Sequence, residues 1–269
     1  MSIRGTILAK IDPHASELQP IGHPRIVALG LLLWPLAALV AAVGLWWLRV
    51  AELAGRNAGT WPPDLVVIAT LLSGLGACVL IRPHAQIPID GTVRAVVGVL
   101  LYLPLTLAFY VVLNRIDAGA TPTPFSTGGS LNLERSGMRL LCDLLLMLII
   151  GCLRPNARIF VHRSMLLRSG KVDRQTMLAM VGALAIIATG DLVHIAGAQL
   201  GGGSEQIAQV IGTVFVAVGS MFLTLGLIGT LVDCARIVPA VLSPPISLES
   251  IADGTPSQAY FGSSHSSVP

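Results

Sequence analysis

The chain has 269 residues, of which 54% are hydrophobic and only 12% are charged. Its net charge is +3 and its mean hydropathy is +0.78. An ordinary soluble domain carries about 25% charged residues, so this composition excludes a typical water-soluble enzyme or binding module. The few basic residues leave no patch for nucleic acid once those that flank membrane segments are accounted for, and we expect no nucleic-acid partner.

Apolar stretches long enough to cross a bilayer recur along the whole chain. A hydrocarbon core about 30 Å thick is crossed by about 20 helical residues. The sequence therefore predicts an all-α fold, an integral membrane bundle of six transmembrane helices whose first partner is the lipid bilayer. The predicted spans cover residues 26–48, 65–81, 94–113, 137–153, 176–199 and 207–232.

The two ends of the chain differ from this apolar middle. Residues 1–24 are predicted as a polar cytoplasmic leader, 25–238 as the transmembrane domain and 239–269 as a disordered cytoplasmic tail rich in Ser and Pro. The first span is longer than the apolar region of a signal peptide, about 7–15 residues. We therefore expect it to be retained as an anchor.

The basic residues predict an orientation. With the N-terminus inside, 12 of the 17 Lys and Arg residues fall on the inner side of a six-span protein. Lys and Arg are enriched in cytoplasmic loops. The sequence thus predicts a multi-pass protein with both termini cytoplasmic, in a bacterial-type inner or plasma membrane.

A repeat is suggested at the inner ends of the even spans. Cys78, Cys152 and Cys234 are each followed within four residues by Arg and soon afterwards by Pro. This pattern indicates three tandem helical hairpins. The alternative is that any helix leaving a membrane inward favours Arg at the headgroups and Pro at its end. In the third span, Pro104 predicts a kink.

Four charged or titratable residues form the candidate functional site. Arg139, Asp143, Asp191 and His194 fall inside the fourth and fifth spans, where a charge is costly without a partner. At about 1.5 Å per residue, Arg139 and Asp191 both lie about 22 Å above the inner ends of their helices. This depth predicts one intramembrane polar cluster, with Arg139 paired directly to Asp191. The cluster has three interpretations: it holds the helices together, it conducts protons or other ions, or it binds a metal. One His and one Asp are too few ligands for a metal site.

Other polar and small residues carry simpler interpretations. Asp233 and Arg236 are predicted to form an interfacial anchor at the inner edge of the sixth span. The four cysteines are predicted to be free thiols packed as small hydrophobes. Gly212, Gly219 and Gly226 recur every seven residues, which predicts a tight helix contact along that face.

No motif assigns a reaction to the chain. It has no phosphate-binding loop, no zinc-protease or serine-hydrolase motif and no paired-cysteine motif. We expect no cofactor and no metal. The leading hypothesis is a non-catalytic accessory, scaffold or sensing subunit, with a protein partner or homo-oligomer. The alternative is a small transporter or channel that uses the Arg/Asp/His cluster, and a membrane-embedded enzyme comes third.

Overall fold

The computed structural model describes residues 23–53, 61–81, 89–116, 133–168, 176–200 and 203–242. The regular structure within these ranges is entirely helical. The α-helices are α1 (Pro24–Leu53), α2 (Trp61–Ala77), α3 (Ile89–Leu100), α4 (Tyr102–Val111), α5 (Leu133–Arg168), α6 (Thr176–Leu200) and α7 (Gly203–Leu242). A 3-10 turn, Cys78–Leu80, extends α2, and a π-helical turn, Val112–Ile116, extends α4. The predicted leader and nearly all of the predicted tail lie outside the described residues.

The helices form six segments long and apolar enough to cross a membrane. This confirms the predicted number and the all-α class. The third segment, Ile89–Asn114, combines α3 and α4. The two helices meet at a turn at Leu101, three residues before Pro104. Because Pro104 has no N–H, the carbonyl of Leu100 loses its helical hydrogen bond, which accounts for the interruption there.

The sequence places two helix boundaries differently from the structure. The Trp61-Pro62-Pro63 run, which lies before the predicted start of the second span at residue 65, opens α2. Proline fits the first helical turn because the N–H groups there have no intrahelical partner.

The fourth helix continues well past its predicted end. Residues 154–168, which lie beyond the predicted end of the fourth span at residue 153, are the second half of α5, and Pro155 lies inside the helix. Phe160 on this half is fully buried in the core. Its packing offsets the hydrogen bond lost at Pro155. Pro239 likewise lies inside α7, so neither proline ends its helix, and residues Arg82–Ile87 of the first repeat unit lie outside the described residues.

The helices are arranged as a ring in chain order. Helices neighbouring in sequence contact each other, and α1 also contacts α7, which closes the ring. The contact between α6 and α7 is the most extensive, followed by that between α1 and α2. One hydrophobic core is shared by α1 to α5 and the end of α7, and a second, smaller one lies between α5, α6 and α7.

Glycines set the close approach of α6 and α7. A Cβ atom built on Gly219 would lie 2.6 Å from Ile187 Cγ1, and one on Gly226 would lie 2.6 Å from Met180 Cγ. A Cβ on Gly212 would collide with the His194 ring. All three glycines therefore face α6, which confirms the predicted contact face.

The polarity of the bundle is inverted relative to a soluble protein. Large apolar side chains are exposed on every described α-helix, for example Leu29, Leu75, Leu103 and Leu148. Ten polar or charged residues of the described helices are buried instead. The buried polar residues are Thr70, Ser73, Thr106, Ser136, Asp143, Asn156, Asp191, His194, Thr230 and Asp233.

Candidate functional site

The predicted polar cluster lies where α5 meets α6. Arg139 and Asp143 are one turn apart on α5, and Asp191 and His194 are one turn apart on α6. Asp143, Asp191 and His194 are buried and Arg139 is half-buried. Cys142 on α5 lies within electrostatic range of Arg139, Asp143 and Asp191. The structure therefore brings the two helices together at this level.

The Asp191 carboxylate is the most enclosed group of the cluster, with 1% of the residue exposed. Neither of its oxygens has a hydrogen-bond partner among the residues that the structure describes. His194 Nδ1 lies 3.8 Å from Asp191 Oδ1. The predicted direct pair between Arg139 and Asp191 stays a prediction, and it is not a hydrogen-bonded one, because neither Asp191 oxygen accepts a hydrogen bond in the described part of the chain.

His194 links α6 to α7. Its Nε2 atom lies 3.2 Å from the backbone carbonyl oxygen of Gln209. Because a carbonyl only accepts hydrogen bonds, Nε2 carries a hydrogen and donates it. The ring lies against Gly212, where any larger residue would collide with it. The role of Gln209 was not predicted, although the glycine spacing predicted the face on which it meets α6.

The predicted interfacial anchor lies on α7, more than 20 residues after Gln209, the α7 residue that contacts His194. Asp233 is buried and Arg236 is exposed, three residues apart. Cys142 and Cys234 are buried free thiols, Cys152 is half-buried and Cys78 is exposed. All four cysteines are free thiols, as predicted, but only Cys142 and Cys234 are buried.

A second buried polar network was missed by the sequence reasoning. The Trp34 indole N–H donates to the Tyr102 hydroxyl at 2.8 Å. Ser73 Oγ lies 3.1 Å from the Trp34 carbonyl and 3.2 Å from the Tyr102 hydroxyl. Since the carbonyl only accepts, Ser73 donates to it and Tyr102 donates to Ser73. The three residues close a hydrogen-bonded cycle between α1, α2 and α4, in which Trp34 contributes both its indole N–H and its backbone carbonyl.

Asn156 was also missed. It is 2% exposed, and its amide nitrogen lies 2.8 Å from the Leu80 carbonyl, 3.3 Å from that of Gly91 and 3.5 Å from that of Ile81. It therefore satisfies carbonyls at the end of α2 and the start of α3. The only sequence signal was an uncharged amide among apolar neighbours.

The cluster is too sparse in ligands to define a metal centre. In the described ranges, no three His, Cys, Asp or Glu side chains are grouped closely enough to hold a metal ion. Comparison of the chain with models of known protein families, with curated proteins and with solved structures finds no match. The geometry of the site is therefore the basis for any functional proposal.

Proposed function

We propose that the chain is a multi-pass integral membrane protein with six spans. The observation that carries this proposal is the inverted polarity of the bundle, with apolar side chains outside and Asp143, Asn156 and Asp191 inside. Exposed apolar surface on this scale is unfavourable in water and ordinary in lipid. Extraction from native membranes should require detergent and resist alkaline carbonate. Release by carbonate alone would contradict the proposal.

We place both termini in the cytoplasm and treat the bundle as three hairpins. The distribution of Lys and Arg supports the orientation, and the extensive contacts of α1 with α2 and of α6 with α7 support the hairpins. A single cysteine at Ser126, in the loop predicted to be outside, tests the orientation. A membrane-impermeant thiol reagent should label Ser126→Cys from the outer side of intact cells. Labelling only after the cytoplasmic side is opened would reverse the topology.

The role supported best is a non-catalytic accessory, scaffold or sensing subunit. Asp191 and Asp143 are enclosed between helices rather than exposed to solvent, so the cluster offers no open surface to a substrate in this conformation. A subunit of this kind has a stoichiometric partner, either another protein or a second copy of the chain. Copurification at native expression level should recover that partner. A monodisperse monomer with a flux or an activity of its own would overturn the subunit role.

A second candidate function is transport of protons or other small ions. It is favoured by one observation, the absence of a hydrogen-bond partner for either oxygen of the buried Asp191 carboxylate within the described residues. Buried carboxylates of this kind mark ion and proton pathways in membranes. Proteoliposomes holding a pH-sensitive dye should then show a flux that Asp191→Asn abolishes and that Asp90→Asn, a change at an exposed carboxylate, leaves intact.

A further inference from the structure

An exposed apolar face of α5 ends at an arginine. Leu144 and Leu148 are exposed on this face, and the exposed residues Gly151, Pro155 and Arg158 continue it at intervals of three or four residues. Leu148 is the last large apolar side chain exposed on α5 among the described residues. Arg158 follows about 15 Å farther along the helix axis. The face therefore changes from apolar to cationic, as expected where a helix leaves the hydrocarbon core of a bilayer.

Arg154 lies one turn before Arg158 on the same helix. It is half-buried, and its Nε atom is enclosed without a hydrogen-bond partner among the described residues. One turn before Arg154, Ile150 belongs to the smaller core together with Met180 and Leu184 of α6, so Arg154 lies on the side of α5 that faces α6. An enclosed guanidinium N–H without an acceptor is costly. An oxygen-rich ligand between the two arginines would supply that acceptor.

No carboxylate on α5 lies close enough in sequence to neutralise the two arginines. Residues 144–172 contain no Asp or Glu, and Asp173 lies outside the described residues. On the neighbouring helices, Asp90 pairs with Arg94 at 3.3 Å, and Asp233 is buried and has a partner. Like charges four residues apart destabilise a helix. The two arginines therefore form a cationic site that an anion from outside the chain would stabilise.

The phosphate group of a lipid matches this site in charge, geometry and depth. A guanidinium binds phosphate oxygens through two parallel hydrogen bonds, and nothing lies within 4 Å of a Cβ built on Gly151, between the leucines and the arginines. We propose that Arg154 and Arg158 bind the phosphate of an anionic phospholipid, whose acyl chains lie along the exposed leucines of α5. A zwitterionic lipid fits less well, because its ammonium group brings a third positive charge to the site.

Lipid selectivity is testable on the full chain in detergent. Delipidated protein is mixed with equal amounts of phosphatidylglycerol and phosphatidylcholine that carry the same acyl chains, and bound lipid is counted by native mass spectrometry. The wild type should bind severalfold more phosphatidylglycerol. Arg158→Gln should lower this ratio, and its combination with Arg154→Gln should bring the ratio close to one. Arg94→Gln is the matched control, because Arg94 is an exposed arginine that already pairs with Asp90, on a helix whose start contacts Asn156 of α5. It should keep the wild-type ratio.

Several outcomes of this experiment would overturn the proposal. A wild-type ratio near one, or a ratio that Arg158→Gln and the double variant leave unchanged, would show that the arginines do not select the lipid. Full displacement of phosphatidylglycerol by an excess of inorganic phosphate would assign the site to free anions instead. If the double variant loses its fold, the exposed Arg158→Gln change alone decides the outcome. The inference rests on the proposed membrane location, which carbonate extraction tests separately, and it does not depend on the orientation of the chain.

Discussion

Gly190 on α6 and Gly212 on α7 face each other so closely that neither position has room for a side chain. A Cβ atom on Gly190 would lie 2.7 Å from the Gly212 carbonyl oxygen, and one on Gly212 would lie 2.8 Å from the Gly190 carbonyl oxygen. The obstacle in each direction is backbone, which cannot rotate away. This reciprocal contact lies directly beside His194 and sets the distance at which its ring reaches Gln209.

Alanine at Gly190 should therefore destabilise the protein. Overpacking of a tight contact costs about 1–3 kcal/mol, which exceeds the roughly 1 kcal/mol that alanine gains over glycine in a helix. Gly182→Ala is the matched control, since nothing lies within 4 Å of a Cβ built at that position on the same helix. Thermal unfolding in detergent should show a lower midpoint for Gly190→Ala and an unchanged or higher one for Gly182→Ala. Equal midpoints would mean that α6 and α7 are farther apart at Gly190 than in the structure described above.

The Asn156 side chain should contribute substantially to the free energy of unfolding, although it carries no charge. Asn156→Ala leaves buried carbonyls at Leu80 and Gly91 without this donor, which costs about 1–3 kcal/mol. Asn156→Asp should be at least as damaging, because it places a carboxylate oxygen opposite carbonyl oxygens. Arg158→Ala changes an exposed residue on the same helix and should have little effect on the thermal midpoint. A tolerated Asn156→Asp would exclude the donor role.

The features that the sequence predicts correctly are those that depend only on residue spacing along a single helix. The recurrence of Gly212, Gly219 and Gly226 predicted their shared face, and helix rise placed Arg139 and Asp191 at about the same depth in the fourth and fifth spans. Both depend only on regular helical geometry, and the structure retains that geometry through these segments.

What could not be predicted depends on partners distant in the chain. Asn156 bonds to carbonyls about 65 to 76 residues away, and no local pattern marks such a pair. The continuation of α5 past Pro155 depends on tertiary burial of Phe160. Pairing of Arg139 with Asp191 stays a prediction, because it was inferred from depth alone and depth does not fix the direction in which a side chain points around its helix.

Tyr102→Phe should test the cycle that joins α1, α2 and α4. The phenylalanine keeps the ring but removes the oxygen that accepts from Trp34 and lies 3.2 Å from Ser73. A buried indole N–H left without a partner costs about 1–3 kcal/mol. Tyr110→Phe is the control, since Tyr110 is on the same helix and exposed. Tyr102→Phe should lower the thermal midpoint. The double variant with Ser73→Ala should lose less stability than the sum of the two single losses. Strictly additive losses would show that the hydrogen-bonded cycle does not form.

The C-terminal boundary of the stable bundle should fall close to the end of α7. Val241 is 1% exposed and packs in the larger core, whereas the sequence beyond it is rich in Ser and Pro and has no apolar periodicity. A chain ending at Ser243 should remain monodisperse in detergent with an unchanged midpoint. A chain ending at Ile237, which removes Val241, should lose about 1–3 kcal/mol or aggregate. Aggregation of the longer form would show that residues after 243 pack on the bundle.

Asp191 and Arg139 should prove only weakly coupled. A direct buried ion pair would make Asp191→Asn cost about 3–5 kcal/mol, because a bare guanidinium would remain. In the structure no hydrogen bond joins Arg139 to either Asp191 oxygen, so Asp191→Asn removes a carboxyl group that lacks donors in the described residues and should leave the thermal midpoint unchanged or raise it. A double-mutant cycle with Arg139→Gln should give an interaction energy below about 1 kcal/mol. Met180→Ala, which empties part of the smaller core on the same helix, provides the reference for a destabilising change of about 2–5 kcal/mol. A large loss in Asp191→Asn that Arg139→Gln partly restores would instead establish the direct pair.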